Sequence, residues 1–308
     1  MTQTRFQWLS GRRWLLVRML CAFLVLGIAG TTATFLTVHA ASAQPDVTAP
    51  GATTSHYEST TSASVLQNQG CNAAKGPAGV VVLDFGEPEY LGNGVYGTYD
   101  FGSTTISDSD ILHAAANFAL GVWDCRGSHF ITIAIGTSNY GSHVSNGAGV
   151  AWGKMVASVE SYITNNKYNG IEGADGAIDA ETEWNSFTTT SNFVNGYNSA
   201  KNGRWLWDYG DDTPGYWTDY DVWYISYGAG DERPLPEIYY NADATQDWAP
   251  VARWACSTGR HMYFEGAMAE AVSGTTSPSG AFDDLYNALG TNSCTQADRN
   301  SMSRVTVI

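Results

Sequence analysis

The chain of 308 residues carries 30 acidic against 15 basic side chains, a formal net charge of -15, with 44% hydrophobic and only 15% charged residues. Such an acidic surface repels phosphate backbones and anionic lipid, which argues against nucleic acid and anionic membranes as partners and leaves neutral polymers such as polysaccharides open. The apolar fraction suits a folded protein of one large domain or two small ones rather than a disordered chain.

Residues 1–43 read as a secretory signal. Arg5, Arg12, Arg13 and Arg18 form a positive start, Met19 to Val38 is largely apolar, and Ala41-Ser42-Ala43 supplies a small-x-small cleavage site. The adjacent Arg12 and Arg13 fit an ordinary signal or a twin-arginine one. An uncleaved anchor is the alternative, and no later stretch is long and apolar enough to span a bilayer, so no stable membrane insertion is expected after signal removal. Residues 44–69, rich in Ser, Thr, Ala and Pro without apolar periodicity, read as a flexible arm. Residues 70–308 then read as one domain, with neither a tandem repeat nor a second linker.

Within that domain strands and helices alternate. Gly79 to Gly86 is a β-branched run and the expected first strand. Ser107-Asp-Ser-Asp110 caps a helix through Ile111, Ala115, Phe118 and Val122. Phe130 to Ile135 is a strand, Trp152 to Asn165 a helix, Gly173 to Glu181 a strand and Ser191 to Lys201 a helix. Trp205-Leu-Trp207 centres a fourth strand. Asp221 to Tyr227 has strand-like composition, but Trp217, Tyr220, Tyr224 and Tyr227 recur at helical spacing, which favours a helix. Leu235 to Tyr240 is expected as strand five, Thr245 to Ala255 as helix, His261 to Glu265 as strand six and Ala281 to Leu289 as the last helix. This alternation predicts parallel strands with right-handed crossovers and an α/β fold: a (β/α)8-like TIM barrel, regular or irregular, with an open doubly wound sheet as the other candidate. No Gly-rich phosphate loop follows the first strand, so nothing supports a nucleotide cofactor.

The mature chain holds four cysteines, Cys71, Cys125, Cys256 and Cys294, an even number that suits an exported protein with disulfides. Three connectivities exist. Pairing of Cys71 with Cys125 and of Cys256 with Cys294 is the expected one: it ties the segment before the first expected strand to the end of the first helix, and the C-terminal tail to the last full crossover.

In a (β/α) barrel the chemistry sits at the C-terminal ends of the strands. Asp175, Ala177, Asp179 and Glu181 share one parity of their strand, and charged side chains cannot cheaply face a helix layer, so this row should face the lumen and its mouth. Proximity of like charges with partial burial raises one carboxyl's pKa, which suits Glu181 as proton donor with Asp179 as its ionised partner, the pair that acid/base cleavage of a glycosidic bond needs. Asp84 ends the first expected strand and is the third catalytic candidate. Asp208, Tyr239, Glu265 and Trp184 are candidate substrate contacts at other strand ends. An Asp-x-Glu pair also serves sugar binding without turnover, or structure alone. Asp84 also fits a turn cap, and Glu265 a buried network partner. The six histidines show no metal-ligand spacing, and the acids from 172 to 183 lack the rhythm of a calcium loop, so no cofactor and no metal is expected.

Ala177-Ile-Asp179-Ala-Glu181 resembles the apolar-Asp-x-Glu strand of family 25 (Chalaropsis-type) lysozymes and, more weakly, of family 18 chitinases, and with Asp84 it resembles secreted bacterial glycoside-hydrolase-like domains. Asp175-Gly176 to Glu181 is one residue shorter than the chitinase pattern. The resemblance implies a secreted barrel that acts on a cell-wall or other N-acetylated polysaccharide, with Glu181, Asp179 and Asp84 as its acids. The alternatives are an inactive carbohydrate-binding barrel and a secreted structural or adhesive domain.

Overall fold

The computed structural model describes residues 48–127 and 129–308, and the expected signal over 1–43 lies outside the described residues. Val47–Ile308 forms one compact unit. In chain order it contains β1 (Thr53–Thr54), β2 (His56–Tyr57), α1 (Ala63–Ala73), β3 (Gly79–Asp84), β4 (Glu87–Gly92), β5 (Val95–Tyr99), β6 (Thr105–Ser107) and α2 (Asp108–Cys125). Next come β7 (Ile131–Ser138), α3 (Asn146–Asn166), β8 (Ile171–Asp179), α4 (Phe187–Ala200), β9 (Leu206–Asp208) and α5 (Asp219–Trp223), which runs into a π-helical turn over Tyr224–Gly228. The chain ends with β10 (Glu232–Pro234), a π-helical segment Asp243–Trp248 leading into α6 (Ala249–Ser257), β11 (Gly266–Ala269), α7 (Pro278–Gly290) and β12 (Arg304–Val307).

The fold is mixed α/β with a six-stranded parallel sheet in the order β10-β9-β8-β7-β3-β2 and a three-stranded parallel sheet in the order β1-β12-β11. The two sheets meet twice. Residues 53–57 belong to both, since Thr53 and Thr54 pair with Thr306 and Val307 while His56 and Tyr57 pair with Leu83 and Asp84. Beyond β10, Glu237 forms a parallel bridge with Met268 of β11.

The strand parity read from sequence holds. Val80, Val82, Ala134, Ala177, Trp207, Tyr209, Leu235 and Met268 pack together on one face of the strands. Val81, Leu83, Ile133, Ile135, Ala174 and Ile178 join the helices on the other. Both faces are buried, as parallel strands require. Asp175 lies on the first face, where it accepts hydrogen bonds from the Trp207 indole (3.1 Å) and the Trp205 amide (3.0 Å).

Three expectations are corrected. The stretch 44–69 is not an arm throughout: Thr53–Thr54 and His56–Tyr57 are strand, and Ala63–Ala73 is helix, with Leu66 fully buried. Its Ser and Thr side chains, which suggested a linker, bond inside the fold: the Ser55 hydroxyl accepts from the Val82 amide (2.8 Å) and pairs with the Thr306 hydroxyl (2.6 Å). A strand therefore precedes Asp84, which ends the second parallel strand in chain order rather than the first. Strand five begins earlier than expected, at Glu232, and its ladder is interrupted after Pro234 because Pro234 and Pro236 have no amide hydrogen to donate. His261 to Glu265 is extended but unladdered: Met262 and Phe264 are buried between exposed His261 and Tyr263, so the alternation is real, yet the strand is the following Gly266–Ala269.

The ambiguous segment 221–227 is helical. Sequence gave no sign of the antiparallel β4-β5-β6 sheet inserted between β3 and α2. Both disulfides pair as expected, Cys71–Cys125 with Cα atoms 4.9 Å apart and Cys256–Cys294 with 6.1 Å. Among the described residues no helix is long and apolar enough to cross a membrane.

Candidate functional site

Because the strands are parallel, their C-terminal ends form one rim. Asp84 is the last residue of β3, Asp179 of β8 and Asp208 of β9. Glu181 stands two residues beyond β8, where Asn139, just past β7, clamps its backbone. The Asn139 carboxamide oxygen accepts from the Glu181 amide (3.1 Å), its Nδ2 donates to the Glu181 carbonyl (2.9 Å), and its own amide donates to the Asp179 carbonyl (2.9 Å). This clamp keeps the Asp-x-Glu segment extended beyond the ladder, so both side chains reach the same side.

Asp179, Glu181 and Glu237 converge: one carboxylate oxygen from each lies within 4.8 Å of the others. That spacing would also let the three hold one divalent cation. Asp179 and Glu237 are almost wholly buried, and Asp179 Oδ1 and Glu237 Oε1 have no hydrogen-bond partner. The other oxygen of Glu237 accepts from the Tyr239 hydroxyl. Burial, then the charges of Glu181, Glu237, Asp84 and Asp208, pushes the Asp179 carboxyl well above the usual range. Glu181 is less buried, and burial followed by the charges of Glu237, Asp211 and Glu183 raises it too. Glu237 is raised to about 8, chiefly by burial, against the pull of the Tyr239 hydroxyl. Burial and mutual charge thus favour the protonated form across the cluster.

Around it, Asp84 is fully buried, and burial raises it to about 7 against the pull of the Gly86 amide (2.8 Å) and the Tyr209 hydroxyl. Asp208 is spent on structure: it accepts from the Ser226 hydroxyl (2.5 Å) and the Gly210 amide (3.3 Å) and acts on Asp179 through its charge. Tyr239 acts through Glu237. Trp184 is half-buried and meets the exposed Tyr140 edge to face at 5.6 Å. Tyr57 pairs in register with Asp84 at the end of β2, and the charges of Glu237, Asp179 and Asp84 bear on its hydroxyl.

Glu265 does not join this group. It precedes β11, at the opposite end of the strands, and is held by Arg304 (2.6 Å) and Arg233 (3.5 Å), which makes it a network partner rather than a substrate contact. His261 pairs with Asp298 at 2.9 Å, a satisfied surface histidine.

Sequence reasoning missed Glu237, Tyr57 and Asn139. Parity was enough to find Glu237, because Leu235, Glu237 and Tyr239 share a face of the expected strand. Tyr57 gave no such signal inside a Ser/Thr-rich stretch, and Asn139 acts only through a fold-dependent clamp. The chain has no significant match to any family model, curated protein or solved structure.

Proposed function

We propose that this chain is an exported glycoside hydrolase that cleaves a cell-wall or other N-acetylated polysaccharide by carboxylate acid/base catalysis on a (β/α)8 barrel. The barrel reading is supported by the two places where the parallel sheets meet, which put residues 53–57, β3, β7, β8, β9, β10 with its extension to Glu237, β11 and β12 side by side in chain order. Export is supported by the N-terminal pattern of the sequence and by two disulfides, which suit an oxidising compartment.

The observation that carries the activity is the convergence of Asp179, Glu181 and Glu237 at the strand ends. Glycosidic cleavage needs one carboxyl that holds a proton at working pH and a second, negative when needed, beside it. Glu181 is the donor in this reading. It is the most accessible of the three, Asn139 fixes its backbone, and the charge of Glu237 keeps its proton on. It delivers that proton to the glycosidic oxygen as the bond to the anomeric carbon breaks. Asp179 and Asp84 lie behind it; burial raises both, and each stabilises the oxocarbenium-like transition state in the fraction of molecules in which it is ionised. The carboxylates lie close enough, within 4.8 Å, for the retaining course: ionised Asp179 bonds to the anomeric carbon as the leaving sugar departs with the Glu181 proton, and a water deprotonated by Glu181 then displaces Asp179.

The test is release of reducing sugar from peptidoglycan, chitin and glucans by the purified mature protein, compared with Glu181→Gln. Release by the native protein that disappears in the variant supports the reading. Release that persists in the variant removes Glu181 from the chemistry.

A further inference from the structure

The rim has a one-sided charge. Among the described residues none of Asp84, Asp179, Glu181, Asp208, Asp211 and Glu237 forms an ion pair with Lys, Arg or His. The paired cations sit elsewhere. Arg233 and Arg304 hold Glu265, Lys201 holds Asp231 just before β10, and Arg204 meets Glu160, whose carboxylate also takes the Ala174 amide near the start of β8. The acids thus gather at the strand ends and these cations at the strand starts.

A second observation points to a ligand. Asp179 Oδ1 and Glu237 Oε1 belong to side chains that are 5% and 1% exposed, yet neither has a donor. Buried acceptors are ordinarily satisfied, and the missing partner here must bring hydrogen-bond donors to a site lined by acids alone, where a cationic partner also displaces the protons that burial keeps on them. A neutral hydroxyl brings a donor without charge, whereas an ammonium brings three donors and the opposite charge.

A third observation points to a sugar ring. Beside Asp84, the rings of Tyr57 and Phe101 stand 4.7 Å apart and are 39% and 41% exposed, and the Phe101 amide donates to the Glu58 carbonyl, which fixes this ring at the rim. Exposed aromatic faces of this kind offer an apolar surface to the C–H face of a ring and a favourable quadrupole to a nearby cation.

We propose that the glycan taken at this rim carries protonated primary amines: a hexosamine polymer at least partly stripped of its N-acetyl groups, with ammonium groups meeting the unpartnered oxygens of Asp179 and Glu237 and a sugar ring on Tyr57 and Phe101. This rests on the carbohydrate reading above and departs from it only in the N-acetyl groups, which the preferred glycan has in part lost.

Binding of the glucosamine tetramer and of the N-acetylglucosamine tetramer to the mature protein, followed by calorimetry at about pH 6, where an ordinary amine is charged, provides the test. The amine tetramer should bind at least about tenfold more tightly at about 20 mM salt, and the preference should shrink at about 500 mM as screening takes hold. Glu270→Gln, at the residue that follows β11 and whose charge bears on Glu237, should reduce the preference while leaving binding of the N-acetylated tetramer unchanged. Phe101→Ala should weaken both tetramers alike. Equal binding of the two, or tighter binding of the N-acetylated one, overturns the amine inference and leaves the carbohydrate reading standing. Binding of neither, at concentrations where a control lectin binds both, removes the carbohydrate reading and the inference with it.

Discussion

Glu181 and Glu237 divide the labour of one proton, and two substitutions separate their roles. Glu181→Gln preserves shape and hydrogen bonding but removes the transferable proton, so turnover should fall by about 10²–10⁴-fold with the thermal transition intact. A steady-state assay beside a melting curve reads both. Glu237→Gln acts differently. The charge of Glu237 is the largest influence on Glu181 after burial, so its removal lets Glu181 ionise more readily. The pH–rate limb that reports the acid should move to lower pH in Glu237→Gln, and a limb that stays put would disconnect the two groups. Glu265→Gln, at the far end of the strands, should leave the turnover rate unchanged. Asp179 and Glu181 were legible in sequence because a strand's alternation assigns a face without further knowledge. Glu265 was misassigned because alternation gives a face but not an end: the strand begins one residue after it rather than finishing on it.

The same limit governs whole elements. Long helices such as α2 and α3 were readable because buried Ile111, Ala115, Phe118 and Val122, or Met155, Val156, Val159 and Ile163, recur at helical spacing. The short strands were not, since Gly-Ala-Met-Ala carries no β-branched signature and Thr-Thr-Ser-His-Tyr looks like a linker. Their strand character comes from the neighbours that complete their ladders. Helix contacts were equally hidden. Gly70 of α1 and Gly121 of α2 let the two backbones touch: a Cβ at Gly70 would collide with the Phe118 carbonyl, and one at Gly121 with the Gln67 carbonyl. The Cys71–Cys125 bridge pins the same pair of helices one residue and four residues further along. Gly121→Ala should therefore destabilise by about 1–3 kcal/mol or more, because the backbone it meets cannot rotate away as a side chain would. Removal of the Cys71–Cys125 bridge by paired serines should cost about 2–4 kcal/mol. Urea denaturation measures both. A neutral Gly121→Ala would mean that the helices are not in backbone contact.

At the scale of the molecule, the acids that converge at the strand ends make folding depend on pH in an unusual direction. Burial raises Asp84 and Asp212 to about 7, Asp208 to about 6, and Asp211 and Glu237 to about 8. In the unfolded chain each carboxyl ionises near its ordinary value, about 4. Between that value and the raised ones the folded state holds more protons than the unfolded state, so the slope of unfolding free energy against pH is negative. Stability contributed by these groups is fully present below about pH 4 and is lost as pH rises through 6 to 8. Other carboxylates oppose this only at lower pH. Asp231, bonded to Lys201, and Asp110, bonded to Ser107, are held below the usual range, and their contribution disappears as pH falls through their depressed values. The two sets together move the stability maximum to the acid side of neutrality. Thermal melts from about pH 3 to pH 9 should show the midpoint falling from pH 5 to pH 8, and Glu237→Asn or Asp211→Asn should flatten that fall while leaving the acid side unchanged. A midpoint that climbs from pH 5 to pH 8 would mean that the rim acids are ionised and solvated in the folded protein. The buried convergence of Asp179, Glu181 and Glu237 would then not store the proton that cleavage requires.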